Sequence, residues 1–224
     1  MKHNLVLFAS DPSTWQLQST IAWYVEGSAE LYEAFLRDLV GLMGQLSKAE
    51  LVIRYAPDRS RPFFHHLAPQ LIILPQRGVS ERERLNNALG DHLNGASHTV
   101  LLWTHTPHLP LSRLRDAFTR LDDGADLVLG PCEDGNLYLI GLRQPQPDLL
   151  LDMPLRPPQR LSFLRTRAEQ LGLKVALLPA WYAITSYSDL QRLATDLQMM
   201  PHSCSPYTRN LLSEIGSQAR EVGG

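Results

Sequence analysis

A chain of 224 residues with 44% hydrophobic and 20% charged side chains fits one large globular domain or two small ones, and it is long enough to bury a core without staples. Its 21 basic and 23 acidic residues leave a net charge of −2, so there is no overall basic surplus for non-specific nucleic-acid binding. Two cysteines, Cys132 and Cys204, far apart, give no disulfide framework. No stretch approaches the ~20 apolar residues of a membrane span, and the N-terminal apolar run is too short for a secretion signal, so the expectation is a soluble cytoplasmic protein.

In chain order, the apolar run Leu5–Ala9 reads as a buried strand ended by Asp11-Pro12. Ser28–Leu46 reads as a helix that Ser28 can cap, with Leu31, Phe35, Leu39 and Leu42 at helical spacing. Leu51–Tyr55 is a strand closed by Pro57-Asp58, and Leu71–Leu74 is the next. Ser80–Leu93 is an amphipathic helix whose Ser80 and Glu83 match a capping box. Thr99–Trp103 is a buried strand, Ser112–Leu121 a helix, and Asp126–Leu129 and Asn136–Leu142 two strands joined by a short turn at Gly135. A Pro-rich connection, Pro145 to Pro158, leads to a helix over Arg160–Leu171 with Gly172 as its C-cap. A strand over Val175–Leu178 and helices over Ser188–Met199 and Pro206–Gly216 complete the chain.

Alternating strands and helices predict an α/β fold with a central, mostly parallel sheet and helices on both faces. The turn at Gly135 is too short for a parallel crossover, so one antiparallel element is expected and the sheet is mixed. With no repeat and no linker, residues 1–224 read as a single domain. Ligands of such sheets bind outside the carboxyl ends of the strands, which directs attention to the loops at Ser10–Trp15, Gln76–Val79, Thr104–Pro110 and Gly130–Gly135.

The stretch Gly130-Pro131-Cys132-Glu133-Asp134-Gly135-Asn136-Leu137-Tyr138-Leu139-Ile140-Gly141-Leu142 resembles the G-P-x-x-D-G-G-Y-Y-L-I-G-L motif of a bacterial glycosyltransferase-like family. That family is often labelled for arsenosugar biosynthesis and has the GT-A fold of nucleotide-diphospho-sugar transferases. Weaker likenesses run along nearly the whole chain. Leu31–Asp38 resembles the first long helix; Gln76-x-Gly78 with Arg84 and Ala88 resembles the Q-x-G loop and following helix; Pro206-Tyr207-Thr208-Arg209 resembles a C-terminal segment. The resemblance implies a GT-A-like three-layer sandwich, a nucleotide-sugar partner at Gln76, Gly78 and Arg84, Asp134 or Glu133 as catalytic acid or base, and a divalent metal, Mg²⁺ or Mn²⁺, if the protein is active.

Departures concentrate where that chemistry sits. The family's F-A-K-x-P-x-x-G-x-x-K-T-R-L has three cations and a glycine at positions that are here Ser10, Gln18, Thr20 and Trp15, and Asp11 would repel a diphosphate. Its T-D-S-P-D-L-P aligns with Thr104-His105-Thr106-Pro107-His108-Leu109-Pro110, so both carboxylates become histidines. Its D-x-D-T-P-x-D-L aligns with Ala183–Leu190, where only Asp189 survives. Three loops depleted together predict a degenerate enzyme acting as a binding or scaffold subunit, in a homodimer or beside an active homologue. The alternative is an active transferase with unusual ligands.

Each candidate also has a structural reading. Asp134-Gly135 can be a plain turn. His105 and His108 can be a Zn²⁺-type pair, with His65 or His66 as third ligand, or simply polar loop residues. Cys132 is a poor nucleophile, because Glu133 and Asp134 disfavour its thiolate. Trp15, Trp23 and Tyr24 can form a partner surface or pack in the core, and Arg82 and Arg84 can meet a phosphate or water.

Overall fold

The computed structural model describes residues 2–18, 27–93, 97–154 and 158–222. Seven strands form one sheet: β1 (Lys2–Ser10), β2 (Ala49–Ala56), β3 (Ile72–Pro75), β4 (Ser97–Trp103), β5 (Leu127–Pro131), β6 (Leu137–Leu142) and β7 (Val175–Leu177). Their order is β3-β2-β1-β4-β6-β5-β7, and only β6 runs against its neighbours, β4 and β5. The expected mixed sheet is therefore present, with the antiparallel element where the Gly135 turn placed it. Gly135 has φ +80°, and a Cβ there would lie 2.4 Å from the Pro158 carbonyl oxygen. Only glycine fits that turn.

Strand composition explains the layering. Leu5, Val6 and Leu7 of β1 are all fully buried, as a strand covered on both faces must be. Leu5 and Leu7 join Val100 and Leu102 on one face, where α2 (Ser28–Met43), α5 (Leu111–Asp122) and α7 (Tyr187–Met199) bring Phe35, Leu39, Leu114 and Leu193. Val6 and Leu101 point to the other face, against Leu85 and Leu89 of α4 (Glu81–Gly90) and Leu164 of α6 (Gln159–Gln170). Each such leucine stabilises the fold by about 1.5–3 kcal/mol on burial. The last helix, α8 (Pro206–Val222), is tied to α2 by Asp38. This buried carboxylate accepts from the Tyr207 and Thr208 amides at 3.0 and 2.9 Å and from Thr208 Oγ1 at 2.6 Å.

Two short helices depart from the expectation: α1 (Pro12–Gln18) and α3 (Arg61–Leu67). α1 opens on Pro12 and α3 carries Pro62 in its first turn; proline reads as strand termination, yet it is equally favoured in a helix's first turn. Asp11 opens α1, its Oδ1 accepting from the Ser13 amide at 2.9 Å. Ser28 does not cap α2. Gly27, at φ +82°, occupies that position, and the buried Ser28 hydroxyl has no hydrogen-bond partner among the described residues. The Ser80 box is half formed, because Glu83 turns to the Val79 amide (2.8 Å) instead of the Ser80 amide. Gly172, at φ +67°, ends α6 as expected.

Candidate functional site

A cleft of about 900 Å³ opens at the carboxyl ends of β1 to β4. Gln76, Gly78 and Arg84, three residues far apart in role but grouped by the sequence reading, all line it. Gln76 follows β3 directly. Its amide nitrogen Nε2 donates to the Ala9 and Arg54 carbonyls at 2.9 and 3.1 Å, which commits both of its hydrogens to neighbouring strand ends. Its carboxamide oxygen is the acceptor left for a ligand donor. Gly78 sits at φ +133°, and a Cβ there would lie 2.7 Å from Glu83 Cβ and 2.9 Å from the Arg84 amide. The loop therefore lies tight against the start of α4 and opens the cleft floor. Arg84, half-buried on α4, has no hydrogen-bond partner on Nε.

Arg59 and Arg77 add positive charge at the rim, with Asp58 and Glu81 as acids. Arg77 is held by Asp91, which also anchors the buried Arg54 at 2.6 Å. Glu81 is held at 3.4 Å by Arg160. Arg160 is a buried cation on α6 that sequence reasoning missed. It donates to Asn136 Oδ1 at 3.1 Å and stacks over Trp103, 5.8 Å from the ring centre, joining the cleft wall to the turn that carries Asp134. No local pattern marks it, since it opens an ordinary helix after a Pro-rich stretch.

Among the described residues of the altered first loop, Trp15 does not line the cleft. Trp15 stacks on Tyr32 with ring centres 4.7 Å apart and meets Phe35 edge-on, so it takes the packing role. Ser10 and Thr14 line the cleft instead. Asp11 is spent on α1, accepting from Ser13 Oγ at 2.5 Å as well as from its amide. Thr20, Trp23, Tyr24 and the Gln18 side chain lie outside the described residues. Arg82 turns to the Met153 carbonyl at 2.7 Å rather than into the cleft.

The remaining candidates cluster beyond β4 and β5. His105 Nε2 lies 3.1 Å from the Leu137 carbonyl oxygen and 3.7 Å from Cys132 Sγ. His108 is 1% exposed. Its ring packs 4.2 Å from Tyr182 and 5.4 Å from Trp181, and neither ring nitrogen has a partner. Burial pushes the imidazole of His105 down to about 4 and that of His108 to about 3. Burial, with the charges of Asp134 and Glu133, pushes the Cys132 thiol up, as expected of a poor nucleophile. Glu133 is exposed, and a two-point pair with Arg192 (2.7 and 3.2 Å) holds its carboxyl below the usual range. Asp134 is exposed, with Oδ1 accepting from the Asn136 amide at 2.9 Å, a side-chain turn of the kind Asp134-Gly135 suggests. Asp189 caps α7, accepting from the Thr185 and Ser186 amides at 3.1 and 2.8 Å.

This donor set does not fit Mg²⁺ or Mn²⁺, which prefer several oxygen ligands. It offers two buried imidazoles, one beside the Leu137 carbonyl and one packed between Trp181 and Tyr182, and a carboxylate committed to a helix cap. Among the described residues no third imidazole, thiol or carboxylate joins His105 and His108 in a ligand group. His65 and His66 lie on the exposed side of α3.

Comparison with known proteins follows the same outline. A protein from Desulfovibrio desulfuricans G20, described as a candidate nucleotide-diphospho-sugar transferase, superposes with a TM-score of 0.86 over 98% of this chain and 97% of its own, at 24% identity. A cytidylyltransferase from Leptospira borgpetersenii serovar Hardjo-bovis gives 0.59 at 14% identity, covering 97% and 96%. A CMP:2-keto-3-deoxy-manno-octonic acid synthetase complexed with CTP gives 0.53 at 13% identity, covering 89% and 100%. At these identities the likeness is one of fold, and it is the GT-A-like fold expected from Gly130–Leu142. No curated protein matches the sequence. The model of a family described as "uncharacterized protein conserved in bacteria (DUF2064)" matches residues 39–155, just over half of the chain, and the chain belongs to that family.

Proposed function

We propose that this family member binds a nucleotide or nucleotide-sugar in the cleft between β1, β3 and α4 without a divalent metal, as a degenerate relative of the nucleotide-diphospho-sugar transferases. The observation that carries the reading is an asymmetry. The nucleotide side is kept as an open cleft lined by Gln76, Gly78 and Arg84, with Arg59 at the rim. The metal side holds neutral, buried imidazoles and committed acids. Gln76 offers a single acceptor to a base amino group, and Arg84 and Arg59 offer charge to phosphate oxygens. In this reading residues 1–224 act as one unit, a binding or scaffold subunit in a homodimer or beside a partner.

The test is calorimetry and thermal shift of the full chain with nucleoside diphosphates and nucleotide-sugars, with and without Mg²⁺ or Mn²⁺, alongside a turnover assay. Binding at a ligand level of 100 times Kd raises stability by about 2.7 kcal/mol. Binding that does not need metal, without turnover, is expected. Silence toward every nucleotide would remove the binding reading. A shift that requires metal and comes with turnover would replace degeneracy by the transferase alternative, with Asp134 as base and Glu133 beside it. The exposure of Asp134 is what favours that alternative.

A further inference from the structure

We propose that His3, His98 and Asp122 form a binding site for a zinc-class divalent transition-metal ion, at the end of the sheet opposite the cleft. The register of the sheet creates it. β1 and β4 are parallel neighbours, and His3 is paired directly with His98 across the ladder. Asp122 is the last residue of α5, one helical turn after Phe118, which stacks on the His3 ring at 4.5 Å and fixes its plane. Three elements that start or stop at one edge thus deliver three donors to one point. His3 Nε2 and His98 Nδ1 each lie 3.1 Å from Asp122 Oδ1, and all three ligand atoms are within 4.8 Å of one another.

These separations suit a metal. Zinc bonds of 2.0–2.1 Å in tetrahedral array place ligand atoms about 3.3–3.4 Å apart, so small side-chain shifts complete the set. Two imidazoles and one carboxylate also match zinc in donor type. A plain hydrogen-bond network explains less. Asp122 Oδ1 serves both rings at once: His3 Nε2 meets it with good hydrogen-bond geometry, and His98 Nδ1, on a side chain 3% exposed, meets it at 3.1 Å with poor alignment. A buried ring nitrogen is thus aimed at the site with only a poorly aligned carboxylate contact to satisfy it. Asp122, 43% exposed, leaves a solvent path for entry and for a water as fourth ligand. Arg143, whose charge reaches His98, is itself held by Asp126. The cleft is remote: seven residues of β1 separate His3 from Ser10, about 23 Å at the usual strand rise. The ion's role is therefore that of a staple across β1, β4 and α5.

The test uses the full chain, stripped with chelator and titrated with Zn²⁺ by calorimetry and thermal melting, and with Co²⁺ by visible absorption. One Zn²⁺ per chain, a raised melting temperature and the intense d–d bands of four-coordinate Co²⁺ are expected. Asp122→Asn and His3→Gln should each weaken Zn²⁺ binding tenfold or more, while the double control His65→Gln/His66→Gln, on the exposed face of α3, should bind as the native chain does. Nucleotide binding should be unchanged in Asp122→Asn, which separates this site from the cleft. A native chain with no Zn²⁺-dependent shift and only the weak spectrum of hydrated Co²⁺ overturns the proposal. So does a shift that survives in Asp122→Asn and His3→Gln. Should those variants fold poorly by circular dichroism, the Co²⁺ spectrum of the native chain decides alone.

Discussion

Lowering the pH should unfold this protein through two residues at aligned metal positions. His108 has an imidazole held down to about 3 and His105 one held down to about 4, against an ordinary 6.5, mainly through burial. The sign follows from linkage. Below 6.5 the unfolded chain takes up a proton on each ring and the folded chain does not, so stability falls as the pH falls. At pH 5 the gap for each ring is about 1.5 pH units wide, which costs about 2 kcal/mol per histidine, or about 4 kcal/mol together relative to pH 7.5. For a chain of this size that lowers the melting temperature by roughly 8–16 °C. The perturbation is His108→Phe, which keeps a ring between Trp181 and Tyr182 and removes two partnerless nitrogens. Urea denaturation of both proteins at pH 7.5 and pH 5 measures the effect. At pH 7.5 the variant should be at least as stable as the native chain, because orphaned buried polar atoms are costly. At pH 5 it should lead by about 2 kcal/mol more than at pH 7.5. Asp196 and Arg192, which face His108 with opposite charge, are common to both proteins. A variant that loses as much stability as the native chain between the two pH values refutes the reasoning.

Arg84→Met keeps the aliphatic stem but removes the guanidinium from the cleft. Affinity for a nucleoside diphosphate should drop roughly 10- to 150-fold, the worth of about 1.5–3 kcal/mol for a hydrogen bond to charge, while affinity for the bare nucleoside stays put in the same calorimeter. Asp189→Asn weakens the cap of α7 and should cost about 1–2 kcal/mol at neutral pH. Burial of Asp189 raises its carboxyl, but hydrogen bonds from Ser186 and Thr185 outweigh that and leave it lowered from 3.8. The native advantage is thus present above pH 3.8 and closes as the pH falls through and below that value, which denaturation curves at pH 7 and pH 3 will show. Gly130→Ala drives a methyl to 2.4 Å from the Tyr138 ring and 2.8 Å from Leu139. A loss of about 3 kcal/mol is expected in thermal melts, and an unchanged melting temperature would mean that β5 and β6 can part without cost.

What was legible in the sequence was what local chemistry determines. The Asp134-Gly135 turn and the six consecutive buried residues of β6 announce an antiparallel hairpin inside a parallel sheet. Gln76, Gly78 and Arg84 were grouped by the family resemblance, and they line one cleft because the loop and the helix that follows it are neighbours in the chain. Arg160 was not legible, because it touches Glu81, 79 residues away, only after α6 has packed on the same face as α4. Polar letters on a loop suggest exposure, so the burial of His108 was equally hidden. It arises from Trp181 and Tyr182, which the chain reaches 73 residues later. The pairing of His3 with His98 depends on β4 inserting beside β1, and no spacing along the chain encodes it.

The acids that survive near the strand ends differ in how firmly the fold holds them, and this ranks what chemistry could still be recruited. Asp11 and Asp189 each hold a helix start through two or more hydrogen bonds, so turning either toward a ligand forfeits a cap worth about 1 kcal/mol. Glu81 is tied to a buried arginine, and freeing it strands a cation away from water. Glu133 and Asp134 are different. The Glu133–Arg192 pair is about half exposed on both sides, where such pairs contribute about 0–1 kcal/mol, and Asp134 accepts a hydrogen bond within its own turn. Releasing those two carboxylates therefore costs the fold least. Both lie in the Gly130–Leu142 stretch that carries the closest likeness to the family motif, joined through Asn136 and Arg160 to the wall of the cleft. In the proposed degenerate reading, the acids near the aligned metal positions are replaced or built into the framework, and Glu133 and Asp134 are the acids of the motif that the fold ties least.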